Sequence, residues 1–206
     1  MTTRIGVVAD THSPEFLDRL PDRLFAVLRG VDLILHAGDV GGLETITELQ
    51  RIAPVQAVGG DHDGGQSLPA SREVTVEGRR IVLVHGNRSR WIEEPQTLIW
   101  TLSLGHLHPN KSLPRALLRR FAGADAIVFG HTHRAHVEVR DSTLLFNPGG
   151  VHQWNPETAA RRLTQKPGWF EWSWLQFSRH LRRYPAPSVG ILEVTPSAIV
   201  PTIVEL

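Results

Sequence analysis

The sequence predicts an α/β fold in one domain that spans residues 1–206. Three observations carry this prediction. Short apolar runs alternate with helical patterns from residue 4 onward, hydrophobic residues make up 41% of the chain, and aspartate or histidine follows the apolar runs directly. Continuous apolar runs are typical of strands that a parallel sheet buries on both faces. The hydrophobic share is enough for a core, and polar residues at strand ends mark where open α/β sheets bind ligands.

Residues 4–63 have the order β–α–β–α–β, which indicates a parallel sheet with helices on its faces. The predicted strands span residues 4–9, 31–35 and 55–58. Pro21 stands at the tolerated first position of a helix that stops at Gly30, and a second helix lies between the second and third strands. The apolar residues expected to face the core are Leu24, Val27 and Leu28 in the first helix and Leu43, Ile46 and Leu49 in the second.

The rest of the chain predicts further strands, several of them in antiparallel pairs. Strands 73–76 and 80–84 form a predicted hairpin around Gly78. A helix that Ser112 can cap follows, with Leu117, Leu118 and Phe121 on its inward face. After it come a buried strand from Ala126, an antiparallel pair turning at Asp141–Ser142, and a closing hairpin of strands 189–194 and 199–204. Residues 97–104 are apolar without a clear period, so helix and strand both remain open there.

A segment at about 152–187 differs in composition, because it holds many of the tryptophans and arginines. Asn155 can cap a short helix there, and Pro167–Gly168 ends it. The apolar stripe of a second helix would be Phe170, Trp174, Phe177, Leu181 and Tyr184. This helix could pack on the core of the domain. Alternatively, Trp169 and Trp172 stay exposed and cover a cleft or form a contact between protomers.

Aspartates and histidines at the strand ends form one candidate site. These residues are Asp10, His12, Asp39, Asp61, His85, His131 and His133. Because the chain has no cysteine, any metal here must be held by nitrogen and oxygen ligands, which suit Mn, Fe, Zn or Ni, with Mn as the first expectation. Seven ligands are too many for one ion and fit two divalent ions that share a carboxylate. Two such ions can clamp the attacking and leaving oxygens of a phosphoester.

Other histidines have simpler interpretations. His36 is expected to pack behind the site, and His136, His152 and His180 to be surface or packing residues. Gly105-His106-Leu107-His108 repeats the spacing of Gly130-His131-Thr132-His133 but runs into a loop, so we assign it to a variable segment. The simplest alternative for the whole site is that the fold is inherited but its site no longer catalyses a reaction.

The ordered motifs Asp10-x-His12, Gly38-Asp39, Gly60-Asp61-His62-Asp63, His85-Gly86 and Gly130-His131-x-His133 resemble the calcineurin-like metallophosphoesterases. The small size and Asn147-Pro148-Gly149 resemble the bacterial and archaeal phosphodiesterase branch, which is itself similar to the retromer subunit Vps29. The resemblance covers residues 4–150 and the final hairpin. It implies a sandwich of two mixed β-sheets flanked by helices.

The resemblance also implies roles for the site residues. Asp10, His12, Asp39 and His133 would hold one ion, and Asp39, Asp61, His85 and His131 the other, so that Asp39 bridges the two. His62 would act on the phosphate, Asp63 would orient His62 or else cap a turn, and a metal-bridging hydroxide would be the nucleophile. The family usually has asparagine at Asp61. An aspartate there should tighten metal binding and weaken the ion as a Lewis acid.

The leading prediction is a dinuclear metal-dependent phosphoesterase acting on a small phosphorylated substrate, with diesters favoured over monoesters. The alternative is a Vps29-like protein-binding scaffold. A nuclease is disfavoured because the net charge is only +1, which also argues against a nucleic-acid partner. No apolar run approaches the roughly 20 residues of a membrane span, and no signal peptide precedes the first strand, so we expect no membrane partner and a cytoplasmic location. A homo-oligomer could form through segment 152–187.

Overall fold

The computed structural model describes residues 1–65, 67–87, 112–179 and 185–206. In chain order, the strands are β1 (Thr3–Val8), β2 (Leu33–His36), β3 (Val55–Ala57), β4 (Ser71–Val76), β5 (Arg79–Val84), β6 (Ala126–Val128), β7 (Ala135–Arg140), β8 (Thr143–Pro148), β9 (Ser188–Val194) and β10 (Ile199–Glu205). The helices are α1 (Asp22–Leu28), α2 (Leu43–Leu49), α3 (Leu113–Arg120), α4 (Pro156–Thr164) and α5 (Trp169–Ser178).

The strands form two mixed five-stranded sheets, as the resemblance implied. The first sheet has the order β10-β9-β1-β2-β3, and its β1, β2 and β3 are parallel neighbours. The second has the order β4-β5-β6-β8-β7, in which β5, β6 and β8 are parallel. The parallel β–α–β–α–β beginning and the three predicted antiparallel pairs are thereby confirmed.

The core between the sheets follows from the alternation of side chains along each strand. Ile5 and Val7 of β1 face Ile81 and Leu83 of β5 across the sandwich, while Val8, one residue on, belongs to the opposite face. Fully burying a side chain of this kind contributes about 1.5–3 kcal/mol. Because both faces of the central strands are covered, their sequences are continuously apolar.

Helices cover the outer faces of both sheets. Leu24 and Leu28 of α1 and Leu49 of α2 are buried against the first sheet, and Leu113 and Leu117 of α3 against the second. These contacts confirm the inward positions predicted for Leu24, Leu28, Leu49 and Leu117. Four further predicted residues are half-buried, namely Val27, Ile46, Leu118 and Phe121, and one predicted position is an exception.

The exception is Leu43 of α2, which is 55% exposed. Its predicted inward position is wrong because α2 begins at this residue, so that Leu43 lies at the end of the helix that is farthest from Leu49. Ser112 does stand before α3, but its side chain makes no capping hydrogen bond.

Segment 152–187 contains α4 and α5. The predicted cap of α4 is confirmed, since Asn155 Oδ1 accepts hydrogen bonds from the backbone N–H groups of Glu157 and Thr158. Trp169 is 81% exposed and Trp172 48%, whereas Leu175, which the predicted stripe omitted, is fully buried. The side chains of that stripe, Phe170, Trp174, Phe177, Leu181 and Tyr184, lie outside the described part of the structure.

Two other sequence interpretations also fall outside the described residues. They are the apolar run 97–104 and the histidines of Gly105-His106-Leu107-His108. Within the described ranges, no helix is both long enough and apolar enough to span a bilayer.

Candidate metal centre

The seven predicted ligands converge at the carboxyl ends of strands from both sheets. The loops after β1, β2 and β3 of the first sheet carry Asp10, His12, Asp39 and Asp61, and those after β5 and β6 of the second carry His85, His131 and His133. Their ligand atoms form three overlapping groups in which all atoms lie within 4.8 Å of one another, namely Asp10–His12–His133, Asp61–His85–His131 and Asp10–Asp39–His85. The residues that the sequence singled out are therefore neighbours in space.

Several of these residues have left-handed backbone conformations, which point their side chains toward the candidate metal centre. The φ angle is 51° at Asp10, 46° at His12, 52° at Asp39, 68° at His131 and 53° at His133. Such angles are uncommon for residues other than glycine, and each costs of order 1–3 kcal/mol. The fold keeps this strain at the strand ends, where it aims ligand-type side chains at one point.

The first group is built around Asp10, which is fully buried. Its Oδ1 accepts a hydrogen bond from the backbone N–H of His131 at 3.1 Å and lies 3.9 Å from His133 Nε2. His133 Nδ1 donates to the carbonyl oxygen of His152 at 2.9 Å, so the proton of a neutral His133 is on Nδ1 and Nε2 is free to act as a ligand.

The second group joins Asp61, His85 and His131. Asp61 Oδ2 lies 3.2 Å from His131 Nδ1 and 3.9 Å from His85 Nε2. His85 Nδ1 donates to the carbonyl oxygen of Ala37 at 2.8 Å, which again leaves Nε2 directed into the centre. Asn87, which the sequence analysis did not select, donates from Nδ2 to Asp61 Oδ1 at 2.8 Å and fixes this carboxylate.

Asp39 lies between the two groups. Its Oδ2 is 3.5 Å from His12 Nε2 and 3.3 Å from His85 Nε2, while its Oδ1 accepts the backbone N–H of His62 at 2.9 Å. Burial alone would raise the pKa of Asp39, but the contacts with the imidazoles of His85 and His12 outweigh burial and lower it. Asp39 Oδ2 therefore lies within 3.5 Å of imidazole nitrogens from both groups.

The chemistry of the donors fits divalent metal ions. Asp10 Oδ2 and His85 Nε2 are buried and have no hydrogen-bond partner, which is costly for polar atoms removed from water. A metal ion held by the group to which each residue belongs would supply the missing partner. Carboxylates and neutral imidazoles without thiolates are typical ligands of Mn, Fe, Zn and Ni.

His62 lies beside the first group, with its ring at 83° to that of His12 and a centroid separation of 4.7 Å. Its Nδ1 is 3.3 Å from Oε2 of Glu15, a residue that the sequence analysis did not select. The hydrogen bond that His62 donates to Glu15 raises the pKa of His62 against the opposing effect of burial.

The structure corrects the predicted role of Asp63 as the residue that orients His62. The Asp63 carboxylate is buried and accepts hydrogen bonds from the backbone N–H groups of Val40, Gly41 and Gly60 at 2.9–3.1 Å. It therefore ties the loop after β2 to the loop after β3, which is the turn-capping alternative. No sequence motif distinguishes these two roles, because both need only a carboxylate at this position.

Two histidines support the centre from behind. The hydroxyl of Thr11 donates its one proton to the carbonyl oxygen of Val40. The hydroxyl oxygen must therefore accept the hydrogen bond that His36 Nε2 makes with it at 3.0 Å. Burial lowers the pKa of His36 to about 4, so the ring is neutral, as expected of a packing residue. His152 is also buried, and its backbone N–H donates to the Asp10 carbonyl oxygen, which places it against His133.

A sandwich of two mixed sheets with a carboxylate–histidine centre at its strand ends defines the class of metallophosphoesterases. The chain belongs to the calcineurin-like phosphoesterase superfamily, because residues 3–165 match the domain of that superfamily. It is 34% identical over 147 residues, 70% of this chain and 75% of the relative, to a probable metallophosphoesterase of Methanothermobacter thermautotrophicus.

Solved structures share the fold at lower sequence identity. Vacuolar protein sorting 29 from Cryptosporidium parvum superposes with a TM-score of 0.68 at 20% identity, covering 100% of this chain and 92% of that one. A protein described as a novel archaeal phosphodiesterase superposes with a TM-score of 0.58 at 18% identity, covering 98% and 100%. At these identities the likeness concerns the fold.

Proposed function

We propose that this protein hydrolyses phosphodiesters with two divalent metal ions, of which Mn is the first candidate and Fe, Zn and Ni are the alternatives. The observation that carries the proposal is the position of Asp39 Oδ2, within 3.5 Å of imidazole nitrogens that belong to two separate ligand groups. A shared carboxylate between two such groups is the arrangement of two-metal hydrolases.

In this proposal, Asp10, His12 and His133 hold one ion, Asp61, His85 and His131 hold the other, and Asp39 contacts both. When bound, divalent ions supply charge neutralisation for the phosphate and lower the pKa of water to near neutrality. His62 lies within ring contact of His12, close enough to the first group to act on the substrate. With Nδ1–H facing Glu15, the imidazolium form of His62 would give its Nε2 proton to the leaving oxygen and keep its Nδ1 proton.

A Vps29-like scaffold is the second candidate, because Vps29 proteins share the fold over nearly the whole chain. The two candidate functions differ in whether the centre catalyses a reaction, because a scaffold needs no catalysis. His62, whose ring contacts His12 of the first ligand group, favours the hydrolase, because only a hydrolase needs a residue placed to act on a phosphate.

We further propose that the substrate is a small phosphorylated molecule and that the protein has no nucleic-acid or membrane partner. We also propose a cytoplasmic location and a homo-oligomer formed through segment 152–187. The exposed Trp169 and Trp172 give that oligomer its contact surface. A mass measured by light scattering that is monomeric at high protein concentration, and unchanged by W169A/W172A, would contradict the oligomer.

The function is tested by metal analysis and hydrolysis together. Protein loaded separately with Mn, Fe, Zn or Ni should bind two ions per chain and hydrolyse bis(p-nitrophenyl) phosphate faster than p-nitrophenyl phosphate. D39N should lose metal and activity together, whereas H62A should keep its metal and lose roughly 10²–10⁴-fold in kcat. D141N, which changes an exposed turn, should behave as the wild type. A stoichiometry that never exceeds one ion, or no hydrolysis with any of the metals, would overturn the proposal.

A further inference from the structure

Glu15 contacts the candidate acid from a segment that contains no recognised motif. It lies between β1 and α1, and its Oε2 is 3.3 Å from His62 Nδ1. Asp63, the acidic residue next to His62 in the chain, directs its own carboxylate to backbone N–H groups. Glu15 therefore provides the carboxylate that faces the His62 ring in the described structure.

This contact determines which way the imidazole presents its two nitrogens. An ionised carboxylate only accepts hydrogen bonds, so Nδ1 of His62 must carry the proton that faces Glu15. The tautomer and the orientation of a histidine ring are set by the hydrogen bond that the other nitrogen makes. A ring held at Nδ1 presents Nε2 away from Glu15, and the backbone N–H of His62 is fixed separately by Asp39 Oδ1 at 2.9 Å.

Glu15 also faces a cation from segment 152–187. Arg162 of α4 brings Nη2 to 4.0 Å from Glu15 Oε1, and its guanidinium lies 5.0 Å from the centre of the Phe16 ring. The same guanidinium donates to Glu171 of α5 at 2.6 Å. Because Arg162 is fixed at several points, it can keep the Glu15 carboxylate from turning toward solvent.

We propose that Glu15 is a positioning residue that holds the Nδ1–H of His62 and thereby directs Nε2 to the substrate, with Arg162 holding Glu15 in place. This inference rests on the proposed role of His62 in phosphoester hydrolysis. It gives segment 152–187 a function in the centre, exerted through one side chain.

The kinetic test uses E15A and E15Q in the metal-loaded protein, with bis(p-nitrophenyl) phosphate as the substrate. Loss of a residue that orients a ligand or catalytic histidine typically costs 10–100-fold, so we expect E15A to lower kcat roughly 10–100-fold with KM and metal content unchanged. E15Q keeps an acceptor oxygen and should recover part of that loss. The matched control is D18N, which removes an exposed ion pair between the same segment and Arg161 of α4 and should leave kcat unchanged.

A double variant tests whether Glu15 acts through His62. Residues that act as a unit are not additive, so H62A/E15A should have the same kcat as H62A. If E15A slows the H62A enzyme further, Glu15 acts on something else and the inference is wrong.

A second measurement does not depend on activity. Nitrogen-15 NMR of the histidine rings at neutral pH, with H62A for assignment, should show His62 protonated at Nδ1 in the wild type. E15A should shift the ring toward the other tautomer, and D18N should not. If the wild type carries a proton on Nε2 and none on Nδ1, the inference is overturned even when hydrolysis is normal. If no phosphoester is hydrolysed but the tautomer depends on Glu15, the proposed function fails while the positioning geometry holds.

Metal analysis separates positioning from ligation. His12, Glu15 and His62 also lie close enough together to hold an ion of their own. A wild type that binds one more ion per chain than E15A would make Glu15 a ligand and overturn the inference. Should E15A fail to fold by circular dichroism, E15Q with the NMR measurement decides the question.

Discussion

The two oxygens of Asp61 have different neighbours. Oδ1 accepts a hydrogen bond from Asn87, and Oδ2 faces the imidazoles of His131 and His85. Burial would raise the pKa of Asp61, but the hydrogen bonds from His131 and Asn87 outweigh burial and lower it. The residue is therefore a fixed carboxylate that adds a full negative charge to the second ligand group.

We predict that D61N binds metal more weakly and turns over faster at saturating metal. A unit charge about 4 Å from a divalent ion is worth about 2 kcal/mol even in bulk water, so the affinity of the second ion should fall roughly tenfold or more. The ion becomes more electrophilic because it receives less charge from its ligands. Titration calorimetry with Mn and hydrolysis rates across a metal series measure the two effects, with D141N as the control. A variant slower than the wild type at every metal concentration would instead indicate that the carboxylate acts as a base.

At the scale of residues, the seven candidate ligands could be predicted because each follows a strand end that the apolar runs already marked. The roles of Glu15 and Asp63 could not. Both depend on which way a carboxylate turns, and nothing in the sequence distinguishes a carboxylate that faces a ring from one that faces backbone N–H groups. His152 was expected to be a surface or packing residue, and the choice between the two could not be made from the sequence, since no motif marks the hydrogen bond from its backbone N–H to the Asp10 carbonyl oxygen.

At the scale of elements, the centre depends on the loops after β2 and β3 lying against each other. Gly60 makes this approach possible, because a Cβ atom there would stand 2.2 Å from Asp39 Oδ1 and 2.4 Å from the Asp39 backbone nitrogen. Asp63 closes the same contact by accepting N–H groups from both loops. The loops thus position the Asp39 carboxylate through backbone contacts.

We predict that G60A loses metal affinity because its methyl group displaces Asp39. Overpacking of this kind costs about 1–3 kcal/mol, which should appear as a lower free energy of unfolding in urea. The control is G64A in the same loop, where an added Cβ meets no atom within 4 Å. Metal titration and urea unfolding of the two variants give the comparison. Equal metal affinity in G60A and G64A would show that the approach of the loops does not determine the position of Asp39.

Element order could be predicted from periodicity, while the surroundings of particular helix residues could not. The alternation of apolar runs fixed the strands, and Asn155 followed by Pro156 marked the start of α4 correctly. Leu43 and Leu175 were misjudged because the surface that covers a residue depends on where the helix ends and on the element beside it. A helical period alone contains neither fact.

At the scale of the whole molecule, the candidate metal-ligating residues come from both sheets. Asp10, His12, Asp39 and Asp61 follow strands of the first sheet, and His85, His131 and His133 follow strands of the second. Each proposed ion therefore has ligands from both sheets. At this end of the sandwich, bound metal would add cross-links to the apolar core that already holds the sheets together.

We predict that metal binding stabilises the whole fold. A ligand that binds only the native state at a free concentration of 100 Kd adds about 2.7 kcal/mol per site, and for a chain of this size 1 kcal/mol shifts Tm by roughly 2–4 °C. Loading with Mn should thus raise Tm by roughly 5 °C or more, and EDTA should reverse the shift. D39N should lose most of this response, because it weakens the carboxylate between the two groups, whereas D141N and H62A should retain it. Calorimetric scans with and without EDTA make the measurement, and hydrogen exchange of β1 and β5 should slow together in the loaded protein. Protection that increases in one sheet alone would mean that the ions bind without joining the sheets.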